Sequence, residues 1–278
     1  MYIPDGSLIS YFSSGFPAHI KVKAIDLSSP NFEMFYSPVE GEVIDIVRFN
    51  IGRPNVFSKT NYDYMILIRN GNRLIKILHV MPFIEKGEYV KEGQIIGNFL
   101  ETPYTGGDFP HAHIEGIPVR LPKISKYNES KIGIVYKKNK QFFDVIVKDY
   151  AEAGKLRGLG CCGGLLNASL PYACYGGIIG GYREPLKLYG LNLGYVRVKR
   201  KTYVLFEGRK GLLRRWEEEA SFKVLSNKPI CGFTFMEAVL SYSGYPMVRF
   251  FLNDSNLNEG DEIDLSEFIR NHLGSKIY

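Results

Sequence analysis

Four of the five histidines in this 278-residue chain lie within its first 113 residues. Neutral imidazole is the commonest protein ligand for zinc and the commonest general base near neutral pH. The segment FPHAHIEG (109–116) places His111 and His113 two residues apart, so on a strand both rings lie on one face. One ring can then bind a metal ion while the other contacts a water or a substrate. An isolated strand histidine is usually a core or surface residue, but this grouping favours a metal-dependent site.

The elements that would position these histidines are short strands joined by tight turns. VEGEVIDIV (39–47) combines a glycine turn with β-branched alternation, and residues 63–80 form two apolar runs around Asn70-Gly71-Asn72, a strong hairpin signal. Residues 87–100 again alternate turn and strand, and no stretch shows sustained helical periodicity. We therefore predict an all-β, antiparallel first half in which His79 ends a strand.

Five segments of this half occur in the order of the motifs of one enzyme family. They are AHIKVKAIDL (18–27), SPVEGEVIDIV (37–47), IKILHV (75–80), GEYVKEGQIIGNF (87–99) and FPHAHIEG (109–116). Through these segments, the part of the chain from about residue 15 to residue 117 resembles the lysostaphin/LytM-type zinc endopeptidases. The resemblance implies an N-terminal domain of two antiparallel sheets, the duplicated-hybrid arrangement, which is similar to a barrel sandwich. YVKEGQIIG also resembles the barrel sandwich of biotinyl and lipoyl carriers, but the sequence lacks their modifiable lysine tripeptide.

The resemblance implies a role for each residue that matches the family's motifs. His19, Asp26 and His113 fall on the positions of the three protein ligands of one Zn(II) ion per chain, with water as the fourth ligand. His79 and His111 fall on the two histidines that orient or deprotonate this water and stabilise the oxyanion. Independently of the family, Glu115 shares a strand face with His113. It either orients an imidazole or is a plain surface carboxylate.

The sequence departs from the family's pattern mainly at its first motif. The family has Asp four residues after His, whereas Asp26 follows His19 by seven residues. On a straight strand this odd offset puts the two side chains on opposite faces, roughly 23 Å apart. We therefore expect a bulge or turn through residues 20–25. Ile77 and Phe109 also replace a Tyr and a Gly of the family's motifs.

The function that the resemblance implies is zinc-dependent endopeptidase activity. The substrate would be a peptide or a peptidoglycan-like polymer with short, Gly- or Ala-rich cross-links. The alternative is a catalytically degenerate member of the same fold that serves as a binding or scaffold module for a polymer or a protein. The zinc content of the purified protein discriminates between the two.

The second half of the chain is predicted to be a separate, β-rich domain of unassigned type. A Pro- and Lys-rich boundary near residues 118–128 divides the chain into domains at 1–122 and 123–278. Residues 132–138 and 141–150 have strand patterns. Residues 261–273 have the pattern of a terminal helix, with Asp264 or Ser266 as its N-cap and Gly274 as its end. The whole chain is therefore predicted to be mainly β with one terminal helix.

Charge is uneven between the two predicted domains. Residues 1–122 carry 11 Lys and Arg against 13 Asp and Glu, a net charge of −2, whereas residues 123–278 carry 24 against 16, a net charge of +8. This basic half, which includes Arg197, Lys199, Arg200 and Lys201, would attract a polyanion such as an acidic polymer. The alternative, a solvated basic face, is preferred because no nucleic-acid-binding motif accompanies the charge.

One uncharged stretch of the second half is long enough to raise the question of a membrane span. Residues 158–181 are uncharged but contain eight glycines. Buried strands or loops are therefore preferred to a membrane span.

Four cysteines (Cys161, Cys162, Cys174 and Cys231) form neither a disulfide framework nor a CxxC zinc pair. They are small buried residues, or Cys174 or Cys231 is bridged to one of the vicinal pair. No targeting signal is readable at the N-terminus, so the default expectation is the cytoplasm.

Overall fold

A computed structural model of the protein describes residues 1–14, 17–52, 56–105, 107–172, 174–213, 231–252, 256–274 and 277. The fold is mainly β, with 45% strand and 6% helix, and its large sheet is antiparallel. The described residues form two compact units. Residues 1–9 and 21–119 belong to the first unit, and residues 10–20 and the described residues from 120 onward belong to the second.

The first unit is built of mainly antiparallel strands, as the short alternating runs predict, and these strands form two sheets. Its strands are β1 (Leu8–Ser10), β2 (Ala24–Leu27), β3 (Met34–Tyr36), β4 (Gly41–Asn50), β5 (Tyr62–Asn70), β6 (Arg73–Leu78), β7 (Val80–Pro82), β8 (Tyr89–Val90), β9 (Ile95–Phe99) and β10 (Ala112–Glu115). The larger sheet has the order β1-β2-β10-β6-β5-β4-β8, and the smaller sheet has the order β3-β9-β7. β10 thus lies between β2 and β6.

The hairpin predicted around Asn70 is confirmed. Asn70 of β5 pairs with Arg73 of β6, so Gly71 and Asn72 form a two-residue turn. The two strands bury alternate apolar side chains, among them Ile66, Ile68, Ile75 and Ile77, each no more than 1% exposed. Because the period of a strand is two, this burial sets the register and determines where the end of β6 delivers His79.

The second unit is also predominantly antiparallel sheet. Its elements before the terminal helix are α1 (Pro17–Ile20), β11 (Ile132–Lys138), β12 (Phe143–Val147), β13 (Ala151–Ala153), β14 (Leu156–Cys161), β15 (Gly164–Leu170), β16 (Tyr175–Ile179), β17 (Lys187–Leu188), β18 (Leu191–Asn192), β19 (Tyr195–Lys199), β20 (Tyr203–Glu207), β21 (Met236–Tyr242), β22 (Met247–Phe250) and β23 (Glu262–Asp264). Strands pair in the order β23-β11-β12-β22-β21-β15-β16-β20-β19. β17 and β18 form a separate hairpin. The core packs large side chains such as Phe143, Phe206 and Phe250.

The terminal helix, α2 (Leu265–Leu273), confirms part of the sequence prediction. The Asp264 side chain accepts hydrogen bonds from the backbone amides of Ser266 and Glu267, so Asp264 rather than Ser266 is the N-cap, and Gly274 is the C-cap. Within the stretch 261–273, the helix begins only after its cap, at Leu265. Residues 262–264 form β23 instead, because they pair with β11.

The uncharged stretch 158–181 forms buried strands, as preferred from its glycine content. It comprises most of β14 and all of β15 and β16, which pair with one another as an antiparallel meander. Among the described residues, no helix has both the length and the apolar character needed to cross a bilayer. The suggested bridge to the vicinal cysteines was wrong, because Cys174 is disulfide-bonded to Cys231, while Cys161 and Cys162 are free.

Candidate metal centre

Strand pairing in the first unit brings Asp26 and His113 together from positions 87 residues apart. In the antiparallel register of β2 and β10, His113 lies directly opposite Asp26. Directly opposed side chains on one face of an antiparallel pair have Cβ atoms only about 4.5–5.5 Å apart. His113 Nδ1 accordingly lies 3.0 Å from Asp26 Oδ1. Both side chains are buried.

The second ring nitrogen of His113 is held by Glu115, whose role the sequence left open. His113 Nε2 lies 3.1 Å from Glu115 Oε1, and Glu115 forms an ion pair with Lys76 of β6. Burial alone would lower the pKa of His113, but the hydrogen bonds to Asp26 and Glu115 outweigh it and raise the pKa to about 9. The hydrogen bond from His113, supported by the charge of Lys76, lowers the pKa of Glu115 to about 2. Glu115 therefore orients the His113 ring.

His19 reaches the same cluster through the turn that the longer His–Asp spacing requires. His19 lies in the single helical turn of α1, and Val22 then has a φ of 55°, a left-handed conformation that redirects the chain before β2. His19 is buried, and its Nδ1 lies 2.9 Å from the backbone oxygen of Tyr11. Since a carbonyl oxygen only accepts, Nδ1 carries the proton and Nε2 carries the lone pair. A backbone carbonyl on the second ring nitrogen is the usual arrangement for a metal-binding histidine.

His19, Asp26 and His113 form a buried group that could hold a metal ion. Each offers one ligand atom, and these atoms all lie within 4.8 Å of one another. Ligands about 2.0–2.2 Å from a tetrahedral zinc ion are separated from one another by about 3.3–3.6 Å. The 4.8 Å limit exceeds this spacing by about 1.2–1.5 Å, so the three side chains would have to move closer together to bind an ion. Two imidazole nitrogens and one carboxylate oxygen are a donor set suited to zinc, with a fourth position left for water.

His79 lies beside this group and is oriented by a buried carboxylate. Its Nδ1 lies 2.5 Å from Asp63 Oδ2, and its backbone amide donates to Asp63 Oδ1 at 3.0 Å. The His79 ring centroid lies 5.7 Å from that of His111 and 6.2 Å from that of His113. His79 follows the last residue of β6 and has a φ of 68°, so it departs from the extended strand conformation that the sequence predicted.

His111 lies near Asp26, and its ring is hydrogen-bonded to the backbone of its own loop. Its Nδ1 lies 2.7 Å from the Phe109 carbonyl oxygen, which makes Nδ1 the donor, and its Nε2 lies 3.9 Å from Asp26 Oδ1. Burial lowers the pKa of His111, and the Asp26 carboxylate only partly opposes this effect. The lone pair of His111 is therefore on Nε2, the nitrogen nearer to Asp26.

Asp63 is the residue of this cluster that sequence reasoning missed. It is the single acidic residue of β5 and precedes the apolar run of that strand, flanked by Tyr62 and Tyr64. A carboxylate that is buried beside an apolar run needs a hydrogen-bond partner. The position of Asp63 in the sequence could therefore have indicated that it pairs with another polar side chain. The partner, His79, is 16 residues away, and the β5–β6 hairpin brings the two together.

A second residue missed by sequence reasoning is Asn167, which holds the segment before His19. Asn167 is fully buried on β15, and its Oδ1 accepts hydrogen bonds from the backbone amides of Tyr11 at 2.6 Å and Phe12 at 2.8 Å. Its Nδ2 donates to the Ala238 carbonyl oxygen at 3.0 Å. The same Tyr11 peptide unit supplies the carbonyl that orients His19. Asn167 is therefore a positioning residue for the His19 ring.

Comparison with known proteins gives one similarity. Residues 4–121 match the N-terminal domain of DUF8155, a domain of unknown function. The match includes His19, Asp26, Asp63, His79, His111 and His113. No curated protein and no solved structure matches the chain significantly.

Proposed function

We propose that this protein is a zinc-dependent endopeptidase similar to the lysostaphin/LytM-type enzymes. The observation that carries the proposal is the convergence of His19, Asp26 and His113, with His79 and His111 beside them. The five sequence motifs place the same residues in the family's order. The two antiparallel sheets of the first unit are consistent with the duplicated-hybrid fold, which forms part of the proposal.

His19 Nε2, an Asp26 oxygen and His113 Nδ1 would hold one zinc ion, which would replace the Nδ1 proton that His113 directs at Asp26. A zinc ion there supplies Lewis acidity toward a water molecule and a peptide carbonyl. Asp26 also limits the charge of the site, because one carboxylate leaves a dipositive ion with a net charge of +1. Glu115 holds the His113 ring in the orientation that directs Nδ1 toward Asp26.

His79 is the proposed general base. Because Asp63 accepts a hydrogen bond from the Nδ1–H group of His79, the lone pair of His79 is on Nε2, where it can accept a proton from water. A carboxylate behind an imidazole fixes the tautomer and stabilises the imidazolium that forms, so the pair acts as a unit. The proton that His79 accepts is then available to the leaving amine.

His111 has the complementary role at the developing oxyanion. Its Nδ1–H is committed to the Phe109 carbonyl, which leaves Nε2 as the atom that faces the site. Nε2 would orient a water molecule by accepting a hydrogen bond from it. Because the one N–H of neutral His111 is used by Phe109, Nε2 would donate to an oxyanion only after taking up a proton from solvent. The substrate class proposed from the resemblance is a peptide with Gly- or Ala-rich cross-links.

Zinc content and peptide hydrolysis, measured on the full chain and its single variants, test this proposal. We expect one zinc per wild-type chain after growth in zinc-replete medium, and loss of that zinc in His19→Ala and His113→Ala. His79→Ala and His111→Ala should retain zinc but lose hydrolysis of a Gly- and Ala-rich peptide library. A zinc-free wild-type protein would refute the proposal and favour the scaffold alternative. Loss of zinc in His79→Ala or His111→Ala would reverse the assignment of ligand and catalyst.

A further inference from the structure

The tip of the β14–β15 hairpin places two cysteine side chains unusually close together. Cys161 ends β14 and pairs with Gly164 at the start of β15, so Cys162 and Gly163 form a two-residue turn. Both turn residues have positive φ, 57° for Cys162 and 86° for Gly163. This combination is that of a type I′ turn, whose twist matches an antiparallel hairpin. Cysteine rarely adopts a left-handed conformation, because its Cβ then crowds the backbone.

The left-handed backbone of Cys162 determines where its sulfur lies. On an extended strand, the side chains of neighbouring residues point to opposite faces, which would keep two adjacent thiols apart. At this turn, Cys161 Sγ and Cys162 Sγ are 2.7 Å apart. That distance is about 0.7 Å longer than an S–S bond. Both sulfurs also lie near one acceptor, the Lys187 carbonyl oxygen, at 3.5 Å and 3.3 Å.

The two thiols differ in accessibility, which assigns them different chemical roles. Cys161 is buried at 2% exposure, whereas Cys162 is partly exposed. Burial raises the pKa of Cys161 well above its usual range, and the neighbouring Cys162 adds to this effect. An external reagent therefore meets Cys162 first, and Cys161 is the second thiol, positioned to react with whatever Cys162 becomes.

We propose that Cys161 and Cys162 form a reversible vicinal disulfide by exchange with a low-molecular-weight disulfide of the general form RSSR. Cys162, as its thiolate, attacks one sulfur of RSSR, and the S–S bond breaks to release RS⁻. Cys161 then attacks Cys162 Sγ, which forms the intramolecular S–S bond and releases a second RS⁻. The two cysteine protons go to the two released thiolates, so RSSR is reduced to two RSH as the cysteine pair is oxidised.

This redox pair is separate from the existing disulfide and from the candidate metal centre. Cys174 and Cys231 are already bonded to each other, so they offer no thiol to the exchange. The two free thiols belong to the β14–β15 hairpin. This hairpin supplies none of the three proposed zinc ligands, which are His19, Asp26 and His113. Failure of the zinc proposal would therefore leave this inference standing, and the reverse also holds.

The test is a redox titration of the full-length protein in buffers of reduced and oxidised glutathione. Samples are quenched in acid, alkylated and digested with chymotrypsin, because no Lys or Arg lies between Arg157 and Arg183 to separate Cys161 and Cys162 from Cys174. We expect both alkylation sites to disappear together as the buffer becomes oxidising. The peptide should lose about 2 Da and carry no glutathione, as expected for a two-electron dithiol–disulfide transition.

Two matched variants resolve the order of the steps. Cys161→Ser should accumulate a stable glutathione adduct on Cys162, because the second thiol is absent. Cys162→Ser leaves only the buried thiol and should form its adduct at least about tenfold more slowly. The inference is overturned if wild-type Cys161 and Cys162 stay alkylatable in every buffer or Cys162 accumulates the adduct in the wild type. It is also overturned if either thiol exchanges with the Cys174–Cys231 disulfide.

Discussion

Replacing Asn167 by alanine tests whether Asn167 positions the His19 ring. The substitution removes the acceptor of two buried backbone amides, those of Tyr11 and Phe12. Each buried donor left without an acceptor costs about 1–3 kcal/mol, so the free energy of unfolding should fall by about 2–6 kcal/mol. The Tyr11 carbonyl that holds His19 Nδ1 belongs to the same stretch of backbone. We therefore expect zinc affinity to fall by about 10–100-fold, the usual effect of losing support behind a ligand.

The assay is competitive zinc titration with a chromophoric chelator, run beside chemical denaturation of the same preparations. Leu166→Ala is the matched control, because Leu166 is fully buried on the same strand and should cost about 2–5 kcal/mol of stability. It should leave zinc affinity within about twofold of the wild type. Asn167→Asp retains an acceptor oxygen and should lose less zinc affinity than Asn167→Ala. The reasoning is refuted if Asn167→Ala and Leu166→Ala bind zinc equally well at similar losses of stability.

Three further substitutions test other parts of the structure. Asp63→Asn should retain zinc but lower turnover by about 10²–10⁴-fold, because the amide no longer fixes the His79 tautomer that carries its hydrogen on Nδ1. Unchanged turnover in a peptide assay would exclude His79 as the base. Gly177→Ala should lower the free energy of unfolding by about 1–3 kcal/mol, since the new Cβ would lie 2.0 Å from Phe12 Cδ2. Denaturation that matches the wild type would contradict this packing. Asp264→Ala should cost about 1 kcal/mol by removing the N-cap of α2. Backbone amides and Ser266 lower the pKa of Asp264, so its contribution is present above the unfolded-state pKa and is lost as pH falls through the folded-state pKa. The same loss at pH 2 and pH 7 would refute the cap.

Local sequence determined the secondary structure of this protein to a large extent. The Gly71-Asn72 turn follows from turn chemistry, and the burial of the β5–β6 hairpin follows from its alternating apolar residues. Asp264 and Gly274 bound the terminal helix because caps satisfy backbone groups within the same few residues. These features depend on neighbours along the chain, so composition and spacing are sufficient to predict them. The family motifs likewise identified His19 as a candidate before its surroundings were known.

The geometry of the candidate site depended on pairings between distant segments. The register that sets His113 opposite Asp26, and the hairpin that brings Asp63 to His79, join strands whose contact no local signal specifies. Asn167 lies more than 150 residues from the backbone amides that it holds. The hydrogen-bonding needs of buried polar groups select these partners, and those needs arise only when the chain is folded. Sequence therefore determined which side chains were available for chemistry, and tertiary packing determined which of them meet.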